Sequence, residues 1–177
     1  LRTAKADLCF GHLEIKGIEM QNGVINEHGL SKSDFQRFDR VISGHFHKHT
    51  DDGQIFYCGA QYEMTWSDYQ DPKAFHIFDT ETREMTRIPN PLTIHKKIIY
   101  DDKKKDYNNF DIKPYHNHFI KLIVLNKTDN ELFDKFVERL YNEISVHDLN
   151  IVEDYSDIKA SVREDILEMG EDTVTFL

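Results

Sequence analysis

Three histidines stand within five positions of the stretch VISGHFHKHT: His45, His47 and His49. Imidazole is the side chain most often used to hold transition ions and to move protons near neutral pH. The spacing therefore raises two chemistries, metal ligation and acid–base work. A bare His-x-His pair has low specificity, and three features sharpen it here. The pair follows a short apolar run and a glycine, which puts the imidazoles at a strand end, where open α/β folds build their sites. Positions i and i+2 of an extended chain face the same side, so His45 and His47 can address one cluster. A second strand–Gly–His element, FGHLE, supplies His12, and two strands of one parallel sheet would bring these ends together. His49 reads as an exposed loop imidazole, His28 and His76 as structural. His95, His116, His118 and His147 lie in the second half without convergent partners.

The elements that must position these residues can be read from periodicity and turn chemistry. Apolar runs at 6–10, 40–44 and 54–60 predict three short strands, the third following a DDG turn at 51–53. Residues 13–30, with Gly17, Gly23 and Gly29, read as irregular loop, and SKSDFQRFD (31–39) as a short helix capped by Ser31 or Ser33. KAFHIFDT and EMTRIP flank ETR as a hairpin. Beyond the proline-bearing PNPL, segments 95–101, 118–126 and 149–155 predict strands. Residues 129–144 predict an amphipathic helix with Leu132, Phe133, Phe136, Val137, Leu140 and Ile144 on one stripe. The expected class is α/β, divided into residues 1–91, a small α/β lobe over 92–155, and an acidic helical tail over 156–177.

Composition narrows the function. The 177 residues are 39% hydrophobic, 31% charged and 12% aromatic, an ordinary globular mix that argues against disorder. No apolar run approaches the roughly 20 residues needed to span a bilayer, so no membrane role is expected. Cys9 and Cys58 form neither a metal knuckle nor a disulfide framework, and a reducing, cytoplasmic setting is expected. Net charge is −10, with 32 acids against 22 bases. This predicts poor DNA binding by bulk electrostatics, unless a local patch or bound cations reverse the field. The opening LRTAKADLCFGH reads as chain already inside a fold, so a piece of a longer protein is expected.

Other residues carry lesser readings. DDKKKD (101–106) reads as a solvated turn with neutralised charge, and Lys96 and Lys97 alternate faces of a strand. Trp66, Tyr62 and Tyr69 could stack on a base, though packing beside a sheet is the commoner use. Cys58 reads as a buried thiol, with no basic neighbour to activate it.

SGHFHKHT followed by IFYCGAQYEMTWSDYQDPKAFHIFDTETREMTRIPNP resembles the second half of a calcineurin-like metallophosphoesterase. Within that superfamily it is similar to SbcD-type nuclease subunits and their phage counterparts, the recombination endonuclease subunits. G-H-x-H matches the superfamily's last metal motif, and the isolated Gly11-His12 its penultimate one. The resemblance implies the closing half of a metallophosphoesterase β-sandwich, then a capping domain that shapes access to DNA. It further implies that His12 and His45 ligate one ion of a two-metal centre and His47 the other, with Mn2+ the usual metal. The superfamily's D-x-H, G-D-x-x-D/N and G-N-H-D/E motifs are absent, so the site would be half built and this chain inactive by itself. The parent would be a Mn-dependent DNA exonuclease or endonuclease serving recombination, repair or replication. Its partners would be DNA, an SbcC-like coiled-coil ATPase reached through the acidic tail, and, in a homodimer, a second copy. Two alternatives stay open: a phosphoesterase for small esters, and a non-catalytic module that binds DNA or the ATPase.

Overall fold

The computed structural model describes residues 3, 5–21 and 23–153. The tail expected over 156–177, with the helix read at VREDILEMG, lies outside the described residues. The described residues form a mixed α/β structure with several sheets and one α-helix. The chain divides into two compact units, Leu1–Met64 with Gln70–Leu92, and Thr65–Tyr69 with Thr93–Leu177.

The first unit is built on β1 (Leu8–His12), β2 (Glu19–Gln21), β3 (Val24–Ile25), β4 (Arg40–Gly44), β5 (Thr50–Asp51), β6 (Ile55–Tyr57), β7 (Ala74–Phe78) and β8 (Met85–Pro89). Its main sheet runs β1-β4-β6-β5, with β4 parallel to both β1 and β6, and β5 antiparallel at one edge. Val41, Ile42 and Ser43 of β4 are all buried, the pattern of an inner strand covered on both faces. Val41 joins Ile15, Ile18, Phe35, Phe38, Phe46, Ile55 and Tyr57 in one core. The hairpin expected around ETR forms from β7 and β8, with His76 opposite Arg87.

Two local expectations change. The helix expected over 31–39 contracts to a single 3-10 turn, Lys32–Phe35, with the Ser31 side chain accepting from the Ser33 amide. The chain must straighten to enter β4, and the Asp39 amide already donates to the Asp7 carbonyl at 2.7 Å. The expected loop at 13–30 contains the β2–β3 pair and a bridge from Ile15 to Leu30. Buried Asn26 holds it, donating to the carbonyls of Ile15 and His28. β2 and β3 are three and two residues long in a glycine-punctuated stretch, too little alternation to be read from sequence.

The DDG turn joins β5 to β6. Asp52 accepts the amides of Gln54 (3.1 Å) and Ile55 (2.7 Å) and pairs with Lys32 at 2.9 Å. Partial burial pulls its pKa up, but Lys32 and the two amides outweigh burial and the net shift is downward. A carboxylate depressed in the folded state adds stability that is present above its unfolded pKa and lost as pH falls through the folded value. Asp52→Asn is therefore expected to cost no more than about 1 kcal/mol at pH 7, given the exposure of the pair. It should also flatten the loss of stability below about pH 4. Urea titrations from pH 7 to pH 3 measure both; an unchanged acid limb would contradict this assignment.

The second unit is β9 (His95–Asp101), β10 (Phe119–Asn126), α1 (Asn130–Asn142) and β11 (Asp148–Val152), with all three strands parallel in the order β11-β10-β9. Asp129 caps α1 by accepting the Leu132 amide. The helix buries Phe133, Phe136 and Leu140 against Ile98, Tyr100, Ile120, Leu122 and Leu149. In the loop after β9, Asp101 is buried and accepts from Asn126 and the Lys103 amide, while Asp102 accepts the Thr128 and Asp129 amides. DDKKKD is thus a solvated turn from Lys103 to Asp106, anchored by its first two aspartates. Trp66 packs on His95 (4.6 Å between ring centres) with the Lys121 ammonium 4.7 Å from its ring, and Lys97 lies 4.5 Å from the Tyr69 ring. Both rings are engaged inside their own unit, leaving Tyr62 as the exposed aromatic of the three. No helix among the described residues is long and apolar enough to cross a membrane.

Candidate functional site

The site begins with the register of β1 on β4. The parallel ladder pairs Leu8 with Arg40 and ends by pairing His12 with Gly44, so both Gly-His steps leave the sheet at the same edge. Gly44 has no side chain to spare: a Cβ there would meet His12 Nδ1 at 2.9 Å. The His12 ring therefore lies over Gly44, with its Nε2 3.3 Å from His45 Nδ1 and the two ring planes at 86°. Leu13, the next residue, is fixed from two strands. Its amide donates to Ser43 Oγ (2.9 Å) and its carbonyl accepts the Tyr57 hydroxyl (2.7 Å). Burial pushes the Tyr57 phenol up to about 12, so it remains a donor throughout the physiological range.

His45 has φ of 95°, a region that L-residues rarely enter. The chain turns there, and 45–49 is a bend rather than a strand. The premise that His45 and His47 share one face of an extended segment is corrected accordingly: the turn at His45, not period-two alternation, relates the two rings. The His45 ring is half-buried against Phe46, 4.9 Å away, which packs in turn on Tyr57. Burial, with the nearby His12 and His47 imidazoles, holds its pKa below the ordinary histidine value against the opposing pull of Glu14. The shift favours the neutral ring, the form in which imidazole binds metal. The His47 carbonyl accepts from the Ala60 amide (2.8 Å) and the Lys73 ammonium (3.1 Å). Gly59, at φ 73°, lets this loop lie close: a Cβ there would be 2.8 Å from the His49 nitrogen and 2.9 Å from the His47 oxygen.

His49 is half-buried, not exposed as expected. Its Nδ1–H donates to the Tyr57 carbonyl at 2.7 Å, and its ring rests on Phe56 and His76. The β6 strand draws it inward because β5 pairs back onto β6 immediately after it. His76, on β7, completes this ring cluster. His118 serves its own turn, its Nδ1–H donating to the His116 carbonyl, while His116 Nδ1 accepts the Ser145 amide from 29 positions along the chain. His95 is buried beneath Trp66 and Phe119. Cys58 is half-buried, and burial pushes its thiol pKa up, the opposite of an activated nucleophile.

The donor set fits part of a metal site. Two imidazole nitrogens bound to one ion at about 2.0–2.1 Å stand about 3.0–3.4 Å apart, and His12 Nε2 and His45 Nδ1 have that separation. His45 Nε2 is buried without a hydrogen-bond partner among the described residues, whereas a ligating imidazole ordinarily gives its second nitrogen an acceptor. Among the described residues no group of three or more His, Cys, Asp or Glu is arranged to hold an ion. The convergence is therefore a pair. Ser43, Tyr57, Gly59 and Lys73, which place that pair and the His47 loop, were not recognised from sequence as site residues. Their residue types are common in cores and turns, and only their contacts mark them.

The arrangement is thus an imidazole pair at the carboxyl edge of a parallel sheet, one ring strained into place. No family model matches the chain. Over 165 residues it is 34% identical to Exonuclease subunit 1 of Enterobacteria phage T4, an alignment covering 93% of this chain and 45% of that protein. The chain spans a little under half the length of this curated relative.

Proposed function

We propose that this chain is the part of a phage-type DNA nuclease subunit that carries the closing metal loops of its active site. The observation that carries the reading is the 3.3 Å apposition of His12 Nε2 and His45 Nδ1 at the ends of paired parallel strands, in a chain 34% identical to an exonuclease subunit. His12 and His45 would hold one divalent ion and His47 a second, with manganese the metal that the resemblance to metallophosphoesterases favours. Such ions, when bound, supply Lewis-acid activation for in-line phosphodiester hydrolysis. The chain's own contribution is placement. The β1–β4 register fixes His12, the turn at His45 aims Nδ1 at the same point, and burial favours the neutral form of that ring. With most ligands lying elsewhere, the chain by itself would be inactive. Its net charge of −10 makes the bound cations and the rest of the protein the natural carriers of DNA affinity. The protein partner is proposed to be an SbcC-like ATPase.

The 177-residue chain is expected to bind Mn2+ weakly, with paramagnetic broadening of the His12 and His45 ring signals before those of His116 or His118. Ring-selective NMR with calorimetry measures this. Broadening absent at every Mn2+ concentration would remove the metal reading, and a tight stoichiometric site would show that the ligand set is fuller than proposed.

A further inference from the structure

Among the described residues of the first unit, Lys73 is the buried cation. Its side chain is 3% exposed, its ammonium is 2.7 Å from Asp71 Oδ2, and it donates to the His47 carbonyl at 3.1 Å. Taking an ammonium out of water is costly unless it is paired and hydrogen-bonded. An apolar side chain of the same length would fill this space at lower cost, so the function of Lys73 lies in what its head group touches. Its contacts include a counter-ion and the backbone of a residue proposed as a ligand.

That carbonyl takes two donors, the Ala60 amide and Lys73, which satisfies both of its lone pairs and fixes the plane of the peptide following His47. Gly59 supplies the close approach that both bonds need, since a Cβ there would be 2.9 Å from the same oxygen. A charge-assisted bond to a carbonyl is roughly twice as strong as a neutral one, and here it acts on a loop with no ladder bonds of its own between Gly44 and Thr50. We infer that Lys73 is a positioning residue, whose ammonium, neutralised by Asp71, clamps the His47 carbonyl and so fixes the backbone from which the His47 imidazole is presented. The role in the site rests on His47 being a ligand, as proposed above; the clamp itself does not.

The test uses the 177-residue chain with Lys73→Met, which keeps the stem and removes the donors, and Lys73→Arg, which keeps the charge. Loss of one charge-assisted bond is expected to speed exchange of the Ala60 amide by about tenfold or more. The Cys58 amide, which donates to the Ser43 carbonyl within the sheet, should be unaffected. The His47 ring signals should move and their Mn2+ broadening weaken relative to His12 and His45, and Lys73→Arg should restore part of both. Unchanged Ala60 exchange and unmoved His47 signals in Lys73→Met would overturn the inference. Should that variant fail to fold, the ammonium of wild-type Lys73 decides. Slowly exchanging Nζ protons showing contacts to His47 and Ala60 support the clamp, and exchange as fast as at exposed Lys104 overturns it. If Mn2+ broadens no histidine while Ala60 still responds to Lys73→Met, the clamp stands and the metal reading falls.

Discussion

On the function proposed above, His45→Ala in the full-length protein is expected to abolish Mn-dependent cleavage of DNA, by about a thousandfold or more, while the first unit stays folded. The ring is half-buried and contributes one edge of packing against Phe46, so its loss should cost no more than about 1–2 kcal/mol. The backbone makes the prediction sharper. At φ 95° any L-residue is strained by about 1–3 kcal/mol, and glycine is the residue that folding favours. His45→Gly should therefore be more stable than His45→Ala by about 1 kcal/mol, and equally inactive. On the proposed function, what a histidine adds at a position where the backbone favours glycine is its imidazole. Cleavage assays on linear duplex DNA, with urea denaturation of all three proteins, test both halves. Retained Mn-dependent cleavage in His45→Ala would sink the site assignment, and a His45→Gly variant no more stable than the alanine one would remove the strain argument.

How far the site was legible in sequence can be followed residue by residue. The pairing of Gly11-His12 with Gly44-His45 came from two apolar runs that each end in Gly-His, and the β1–β4 register brings those ends together. The strands at 40–44, 95–101 and 118–126 and the helix from 130 had length and periodicity enough to be read. The turn at His45 did not show itself. Nothing in GHFHKHT states that its first histidine takes a positive φ or that the next residue, Phe46, packs on Tyr57. His49 was misjudged for a related reason: its burial comes from Phe56 and His76, which lie 7 and 27 positions further along the chain. The long-range polar pins were equally hidden. Leu13 to Ser43 and Tyr57, and His47 to Lys73, join residues 26–44 positions apart, and no local pattern encodes such contacts. Sequence periodicity reports the elements, and tertiary packing decides which polar groups the elements bring to the site.

Gly59 provides the second large effect, because two costs coincide there. Its φ of 73° lies in the left-handed region, where an L-residue pays about 1–2 kcal/mol. A Cβ would also be 2.8 Å from the His49 nitrogen, 2.9 Å from the His47 oxygen and 3.2 Å from the His49 Cα, all backbone atoms that no rotamer change can move. Relief requires the 47–49 loop to withdraw, breaking the bonds from Ala60 and Lys73 to the His47 carbonyl. Gly59→Ala is therefore expected to cost about 3 kcal/mol or more, the strain plus the overpacking. Gly53 is the control: its φ is 95°, but a Cβ there would meet nothing within 4 Å, so Gly53→Ala should cost only about 1 kcal/mol. Because Trp66 belongs to the second unit, fluorescence would report the wrong part of the molecule, and exchange of the β4 and β6 amides is the measurement to make. A large difference between the two alanine variants would locate the cost in the seat of the histidine loop. Equal costs would mean that Gly59 serves only the backbone angle, and that the loop is held by its hydrogen bonds without the close approach.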